Sequence, residues 1–216
     1  MKSLVVLSGG MDSATALAWA RGTHKEVSAV HFQYGSKHNL RELQAAEKLA
    51  VHYNIGLHVV HLPFSQFKSD LLLSGGDIPE GHYADESMKR TVVPFRNGIL
   101  LAFAAGLAES IGAGSVVLGN HAGDHAIYPD CRPEFAAKMA EAIRLGTYAQ
   151  IELLCPFQNI NKTEIAKIGK ALAVPYQLTW TCYKGKEKHC GKCGSCVERQ
   201  EAFRDSNQMD PTVYET

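Results

Sequence analysis

The chain has 216 residues, 45% of them apolar, which suits one globular domain with at most a small appendage and excludes a disordered protein. Lysine plus arginine equals aspartate plus glutamate at 22 each, so the formal net charge is zero, which argues against a dedicated DNA or tRNA binder. No apolar run approaches the roughly eighteen residues of a membrane span, and cleaving the first one as a signal peptide would destroy the glycine-rich turn behind it.

From this we expect a cytoplasmic protein with no membrane or nucleic-acid partner. Its six cysteines are then metal ligands or nucleophiles rather than disulfides.

The elements alternate along the chain. Residues 4–7, 27–32, 57–62, 115–118 and 151–157 have strand character. A helix is expected from about 12 to 19. A second, over 39–54, puts Leu40, Leu43, Ala46, Ala50 and Tyr53 on one face. Residues 98–112 are apolar almost all round, which suits a helix buried on several sides. The span 133–146 starts on Pro133, turns Phe135, Met139, Ala142 and Ile143 inward and can end at Gly146. Asn161-Lys162-Thr163-Glu164 has the outline of a capping box ahead of Ile165, Ile168 and Leu172. Strands alternating with helices predict an α/β fold: a Rossmann-like parallel sheet with helices on both faces.

Between the first strand and first helix stands Ser8-Gly9-Gly10-Met11-Asp12-Ser13. Glycines let the backbone approach a ligand, the serines add hydroxyls, and the free N–H groups of a helix start favour an anion. A phosphate chain fits. The turn is neither a Walker loop, since no lysine follows, nor a G-x-G-x-x-G turn. A plain strand–helix turn with a Ser or Asp cap is the alternative. Asp12 favours a ligand, because a carboxylate there would repel phosphate unless a cation such as Mg²⁺ lay between. The hexapeptide resembles the SGGxDS signature of the PP-loop ATP pyrophosphatases, which cut ATP between the α and β phosphates.

Residues 63–94 lack periodicity and carry the turn clusters Ser74-Gly75-Gly76-Asp77 and Pro79-Glu80-Gly81, so they read as a loop over the active site or as a surface connection. Arg96 and Asn97 then stand at the mouth of the apolar helix. Arg96 could neutralise phosphate, pair with a carboxylate or simply cap the sheet edge. The stretch 119–132 follows the fourth strand and should face the same crevice as the glycine turn. His121 and His125 lie four apart, but Ala122 stands where a zinc-protease helix needs Glu, and Gly123-Asp124 disfavours a helix, so substrate contacts are the expectation. Asp130 could accept hydrogen bonds from a guanidine-like base edge, and Cys131 reads as a small buried thiol. Lys162 could touch phosphate or be a surface lysine.

Cys182, Cys190, Cys193 and Cys196 form C-x7-C-x2-C-x2-C, two overlapping knuckles with glycine inside. Four thiolates suit a closed, structural, tetrahedral Zn²⁺ site; an iron–sulfur cluster is the rival and a redox disulfide a third reading. Lys184, Lys186, Lys188 and Lys192 would offset the negative charge. The site would pin a tail that has few apolar residues to hold it.

Taken together, the chain from Lys2 to Arg199 resembles the QueC family, the 7-cyano-7-deazaguanine synthases. The matching pieces are residues 7–13, Phe32-Gln33-Tyr34-Gly35, Val93-Pro94-Phe95-Arg96-Asn97, Tyr128-Pro129-Asp130-Cys131-Arg132, Asn161-Lys162-Thr163-Glu164 and Thr181-Cys182-Tyr183 through Cys196. Phe95 stands where a small residue is expected before Arg96.

The resemblance implies an adenine nucleotide alpha hydrolase-like domain over 1–178 and a zinc-binding segment over 179–216. It implies a ligase acting on 7-carboxy-7-deazaguanine, ammonia and ATP, with Mg²⁺ and one Zn²⁺ per chain, and a homodimer. Asp12, Arg96 and Lys162 would be catalytic. Leu7, Ser8, Gly9, Gly10, Met11, Asp12, Ser13, Ala14, Thr15, Ala16 and Leu17 would bind ATP; Asp124, Tyr128, Asp130 and Arg132 would bind the deazapurine. Cys182, Cys190, Cys193 and Cys196 would hold the metal. Rival readings are another PP-loop adenylating enzyme, such as an amidating synthetase or tRNA thiolase, and a non-catalytic nucleotide-binding adaptor.

Overall fold

The computed structural model describes residues 1–83 and 85–215. Strands β1 (Lys2–Val6), β2 (Glu26–Gln33), β3 (Leu57–His61), β4 (Ser115–Val117) and β5 (Glu152–Leu154) form one five-stranded sheet in the order β3-β2-β1-β4-β5. Every pairing is parallel. The chain leaves β1 towards β2 on one side and returns to β4 on the other, so the carboxyl end of β1 lies at the switch point where such sheets bind ligands.

Among the described residues there are six α-helices, α1 (Met11–Thr23), α2 (Asn39–Tyr53), α3 (Arg96–Ser110), α4 (Pro133–Gly146), α5 (Lys162–Ala171) and α6 (Gly194–Asp205), the last packed on α5. Successive side chains of a strand point to opposite faces. Leu4 and Val6 therefore join Leu101 and Ala104 of α3 and Ile143 of α4 in one core. Val5 and Leu7 join Leu17 of α1, Leu49 of α2 and Ile165 of α5 in a second. Burial on both faces explains why residues 4–7 are a continuous apolar run.

Several expected faces shift. In α2 the buried side chains are Asn39, Ala45, Ala46, Leu49 and Ala50, while Leu40 is 64% exposed. Asn39 sets the phase: its Oδ1 accepts the N–H groups of Tyr34, Gly35 and Ser36, which ties the helix start to the end of β2 and turns Leu40 outward. In α4, Ala136 and Ile143 are buried, Phe135 and Met139 half-buried, and Ala142 exposed. The apolar α3 is buried on one side only, and Phe103 is 43% exposed. Strand β5 ends at Leu154; Phe157, expected to continue it, packs in the second core instead.

The long connection after β3 is anchored. Lys37 Nζ donates to the carbonyls of Asp70, Leu72 and Gly75, and Leu71, Leu72 and Ile78 enter the first core. At the other end of the chain, Arg199 is fully buried and donates to Asp210 Oδ1, Thr179 Oγ1, Thr181 Oγ1 and the Tyr176 carbonyl. The tail is thus held by a buried guanidinium as well as by the cysteines. No helix among the described residues is long and apolar enough to cross a membrane.

Candidate active site

The glycine turn joins β1 to α1. Gly10 is the N-cap of α1 and no side chain caps the helix, so its first N–H groups are free for a ligand. Ser8 Oγ accepts the Gly10 N–H, and Ser13 Oγ donates to the Gly10 carbonyl. Gly9 has φ +94, and a Cβ there would lie 2.6 Å from the Glu42 carbonyl oxygen and 2.9 Å from Ala45 Cβ. The first glycine is therefore required by the close passage of α2 rather than by a ligand.

A cavity opens here, walled by the ends of β1, β2 and β4, by Tyr83 from the long connection and by Trp180, Thr181 and Tyr183 from the cysteine segment. At one end Lys162 Nζ donates to Glu198 Oε2 and lies 3.3 Å from Asp12 Oδ2. His121 Nε2 sits 3.8 Å from Asp12 Oδ2, 3.6 Å from Asp124 Oδ2 and 3.9 Å from Glu198 Oε1. Tyr83 Oη donates to Asp124 Oδ1 at 2.9 Å.

These contacts decide the charges. Burial alone would push Lys162 down, but Asp12, Glu198 and Asp124 hold it above its ordinary value, so it stays a cation at neutral pH. Burial would likewise raise Asp124, yet His121, Lys162 and the Tyr83 hydroxyl keep it below the usual carboxylate range. Burial wins at Glu198, which is raised.

The other end is lined by Tyr34, His38, Glu42, Arg96 and Tyr183. Arg96 Nε and Nη2 donate to Asn97 Oδ1, each at 3.3 Å, and Nη1 reaches Tyr34 Oη at 3.5 Å. His38 Nε2 lies 3.4 Å from Glu42 Oε2.

Asp12, Arg96 and Lys162, expected to be catalytic, all line this one cavity, as do Asp124 and Tyr128. Of the residues expected to bind ATP, Leu7, Ser8, Gly10, Met11, Asp12 and Ser13 line it. Gly9 faces α2, and Ala14, Thr15, Ala16 and Leu17 are buried within α1 and outside the lining. Thr15 Oγ1 bonds the Met11 carbonyl and Tyr176 Oη.

Asp130 and Arg132 are not part of the lining either. Asp130 Oδ2 accepts the Asn97 N–H at 2.7 Å, capping α3, and Arg132 is exposed and donates to the His125 carbonyl. The stretch Ala122–Ala126, where no helix was expected, is a 3-10 turn capped by His121, whose Nδ1 accepts the Gly123 N–H.

Glu198 and Glu42 were not assigned roles from sequence, and His121 and His125, expected to contact substrate, are not part of the cavity lining. Glu198 carries no local signal, since only the docking of α6 against α5 brings it to Lys162. His38 and Glu42, at i and i+4 on the start of a helix, do carry one, the spacing of an intrahelical ion pair.

The Sγ atoms of Cys182, Cys190, Cys193 and Cys196 lie within 4.8 Å of one another, and all four residues are buried. Hydrogen bonds from the Cys193 and Cys196 thiols pull Cys182 down to about 4. Four convergent sulfurs suit a tetrahedral metal ion, and among the described residues theirs is the one such ligand group. His121 and His125 belong to no such group.

Over residues 2–207 the chain matches the family described as queuosine biosynthesis protein QueC. It is 54% identical over 215 residues to the 7-cyano-7-deazaguanine synthase of Porphyromonas gingivalis, covering 99% of this chain and 97% of the relative. The 7-cyano-7-deazaguanine synthase of Methanoregula boonei is 48% identical over 217 residues, with 100% of each chain covered. Among solved structures, one described as a predicted subunit of a tRNA methyltransferase from Methanocaldococcus jannaschii shares the fold, with TM-score 0.51 and 13% identity over 79% of this chain and 74% of that one. Matched nearly end to end at such levels of identity, the chain belongs to the QueC family of queuosine biosynthesis proteins.

Proposed function

We infer that the protein is an ATP-dependent carbon–nitrogen ligase. It converts 7-carboxy-7-deazaguanine and ammonia to 7-cyano-7-deazaguanine (preQ0), for queuosine or a related 7-deazapurine. The observation that carries this reading, beside the family, is a single cavity in which the uncapped start of α1 meets a buried lysine cation. In this reading the helix start receives the β and γ phosphates, and Lys162 stabilises the charge that develops on the α-phosphate. The acid's carboxylate attacks that phosphorus and pyrophosphate leaves. Ammonia attacks the acyl carbon, AMP leaves and a proton is lost, giving the amide. A second ATP adenylates the amide oxygen with release of pyrophosphate, and loss of AMP and of both N–H protons leaves the nitrile.

Orientation does most of the work, and no protein nucleophile is needed. The cysteine in the cavity lining, Cys131, is raised by burial, which outweighs the lowering by Arg96 and by the hydrogen bond from Asn97 Nδ2, so it stays a protonated thiol.

Asp12 would hold Mg²⁺: its Oδ1 is buried without a hydrogen-bond partner, which fits a cation. When bound, the ion neutralises the leaving pyrophosphate. The four cysteines would hold Zn²⁺, which closes the wall bearing Trp180 and Tyr183. That wall touches the glycine turn, with the Trp180 N–H donating to the Gly9 carbonyl. We accordingly treat 1–178 as the ATP-handling unit and 179–216 as the segment that braces it. A cytoplasmic homodimer follows from the same family reading.

The test is incubation with 7-carboxy-7-deazaguanine, ATP, Mg²⁺ and ammonium. The expected result is the nitrile by mass, with two AMP and two pyrophosphate per product. Release of ADP and orthophosphate would overturn the mechanism.

A further inference from the structure

The acceptor must be told apart from the adenine of ATP, and the two differ at one ring edge. A 7-deazaguanine offers N1–H and a 2-amino group, two donors side by side, whereas adenine offers a bare N1 there. A carboxylate accepts from the first edge through two parallel hydrogen bonds and is repelled by the lone pair of the second. Sequence pointed to Asp130 for this task. In the structure Asp130 caps α3 and lies outside the cavity lining.

Three other carboxylates line the cavity: Asp12, Glu42 and Asp124. Asp12 and Asp124 belong to the lysine end, where Lys162, His121 and Tyr83 engage them. Glu42 stands apart. Among the described residues its one ion-pair partner is His38, on Oε2. The surroundings are flat and aromatic: Phe32 and Tyr34 line the same cavity, and the His38 ring lies 5.2 Å from that of Tyr183. His38 is 2% exposed and its Nδ1 has no hydrogen-bond partner, which leaves a buried polar atom for a ligand at this end. Burial would raise Glu42, but His38, His31 and Arg96 hold it below its ordinary value, so it meets a ligand as a full acceptor.

We propose that Glu42 is the specificity-determining residue for the acceptor, its carboxylate accepting the N1–H and 2-amino hydrogens of the deazaguanine ring. The assignment rests on the functional reading above. Arg96, in the same end, supplies donors for the ring carbonyl.

The experiment compares 7-carboxy-7-deazaguanine with its analogue lacking the 2-amino group, on wild type and Glu42→Gln, with KM measured separately for acid, ATP and ammonium. Wild type should prefer the amino-bearing acid by roughly 10- to 100-fold in kcat/KM. Glu42→Gln, nearly isosteric, should lose most of that preference through a higher KM for the acid, with KM for ATP and ammonium changed by less than about twofold. Unchanged discrimination in the variant, or a KM rise confined to ammonium, would overturn the assignment. So would a wild type indifferent to the 2-amino group, a result that needs no variant. No turnover of either acid by wild type would instead remove the functional reading, and this assignment with it.

Discussion

At one end of the cavity Lys162 faces Asp12 and Glu198, with His121 and Asp124 beside them; at the other, Glu42 meets a histidine and aromatic walls. The first end is a crowded network in which opposite charges neutralise one another. The second keeps one anion with spare acceptor capacity. Charge clustered against charge suits a ligand group that is itself highly charged, and a lone carboxylate among flat rings suits a planar ring with donors on its edge. The cysteine segment walls both ends, so the comparison can be broken at the wall, at the lysine end, or not at all.

Cys193→Ala breaks the wall and should have the largest effect. Metal should fall from about one per chain to none, with loss of soluble folded protein, read by metal analysis and circular dichroism. A folded, metal-free variant would show that the wall stands without its ion.

Next come the lysine-end variants. Asp12→Asn should lower turnover by about 10²–10³-fold or more and stop pyrophosphate release, with thermal stability and metal content unchanged. Lys162→Met should do the same to turnover. It should also cost about 3 kcal/mol in denaturant titration, because Asp12, Glu198 and Asp124 are left buried together. Normal pyrophosphate release in either variant would remove that residue from the mechanism.

Asp210 lies behind the wall and tests whether support can be weakened without touching either end. Burial would raise it, but Arg199 and hydrogen bonds from Tyr214 and Thr212 hold it below its ordinary value. A carboxylate lowered on folding contributes stability that is present above its unfolded value and lost as pH falls through its folded one. Asp210→Asn should therefore cost about 1–3 kcal/mol at neutral pH, with the gap to wild type closing below about pH 4, read as melting temperature against pH.

The smallest effect is expected at Phe95, which has φ +53 at the N-cap of α3, lies 58% exposed and lines neither end. Phe95→Gly relieves left-handed strain but loses the edge-to-face contact with Phe135, so a stability gain of at most about 1 kcal/mol with unchanged kinetics is expected. A change in KM would place Phe95 at the site after all.

Much of this was readable before folding. The strand and helix alternation, the capping box at Asn161 and Glu164, the glycine turn and the cysteine spacing are all local patterns, and each is present. What misled was facing. Leu40 fits the helical stripe of α2 by periodicity, yet Asn39 is the residue turned inward, because it must satisfy three backbone N–H groups at the end of β2. Asp130 sits in a motif rich in polar groups, and nothing local reveals that one of its oxygens serves a helix start thirty-three residues earlier.

From the chain alone came the alternation of strands and helices, the glycine turn and the spacing of the four cysteines, because each is a pattern among residues near one another in the chain. Tertiary structure alone decided which acids share the cavity. It brought Glu198 on α6 to Lys162 on α5, placed Glu42 in the lining of the same cavity, and required glycine at position 9 through the passage of α2. These relations hold across long chain separations, where no periodicity operates and only packing of the finished layers determines distance.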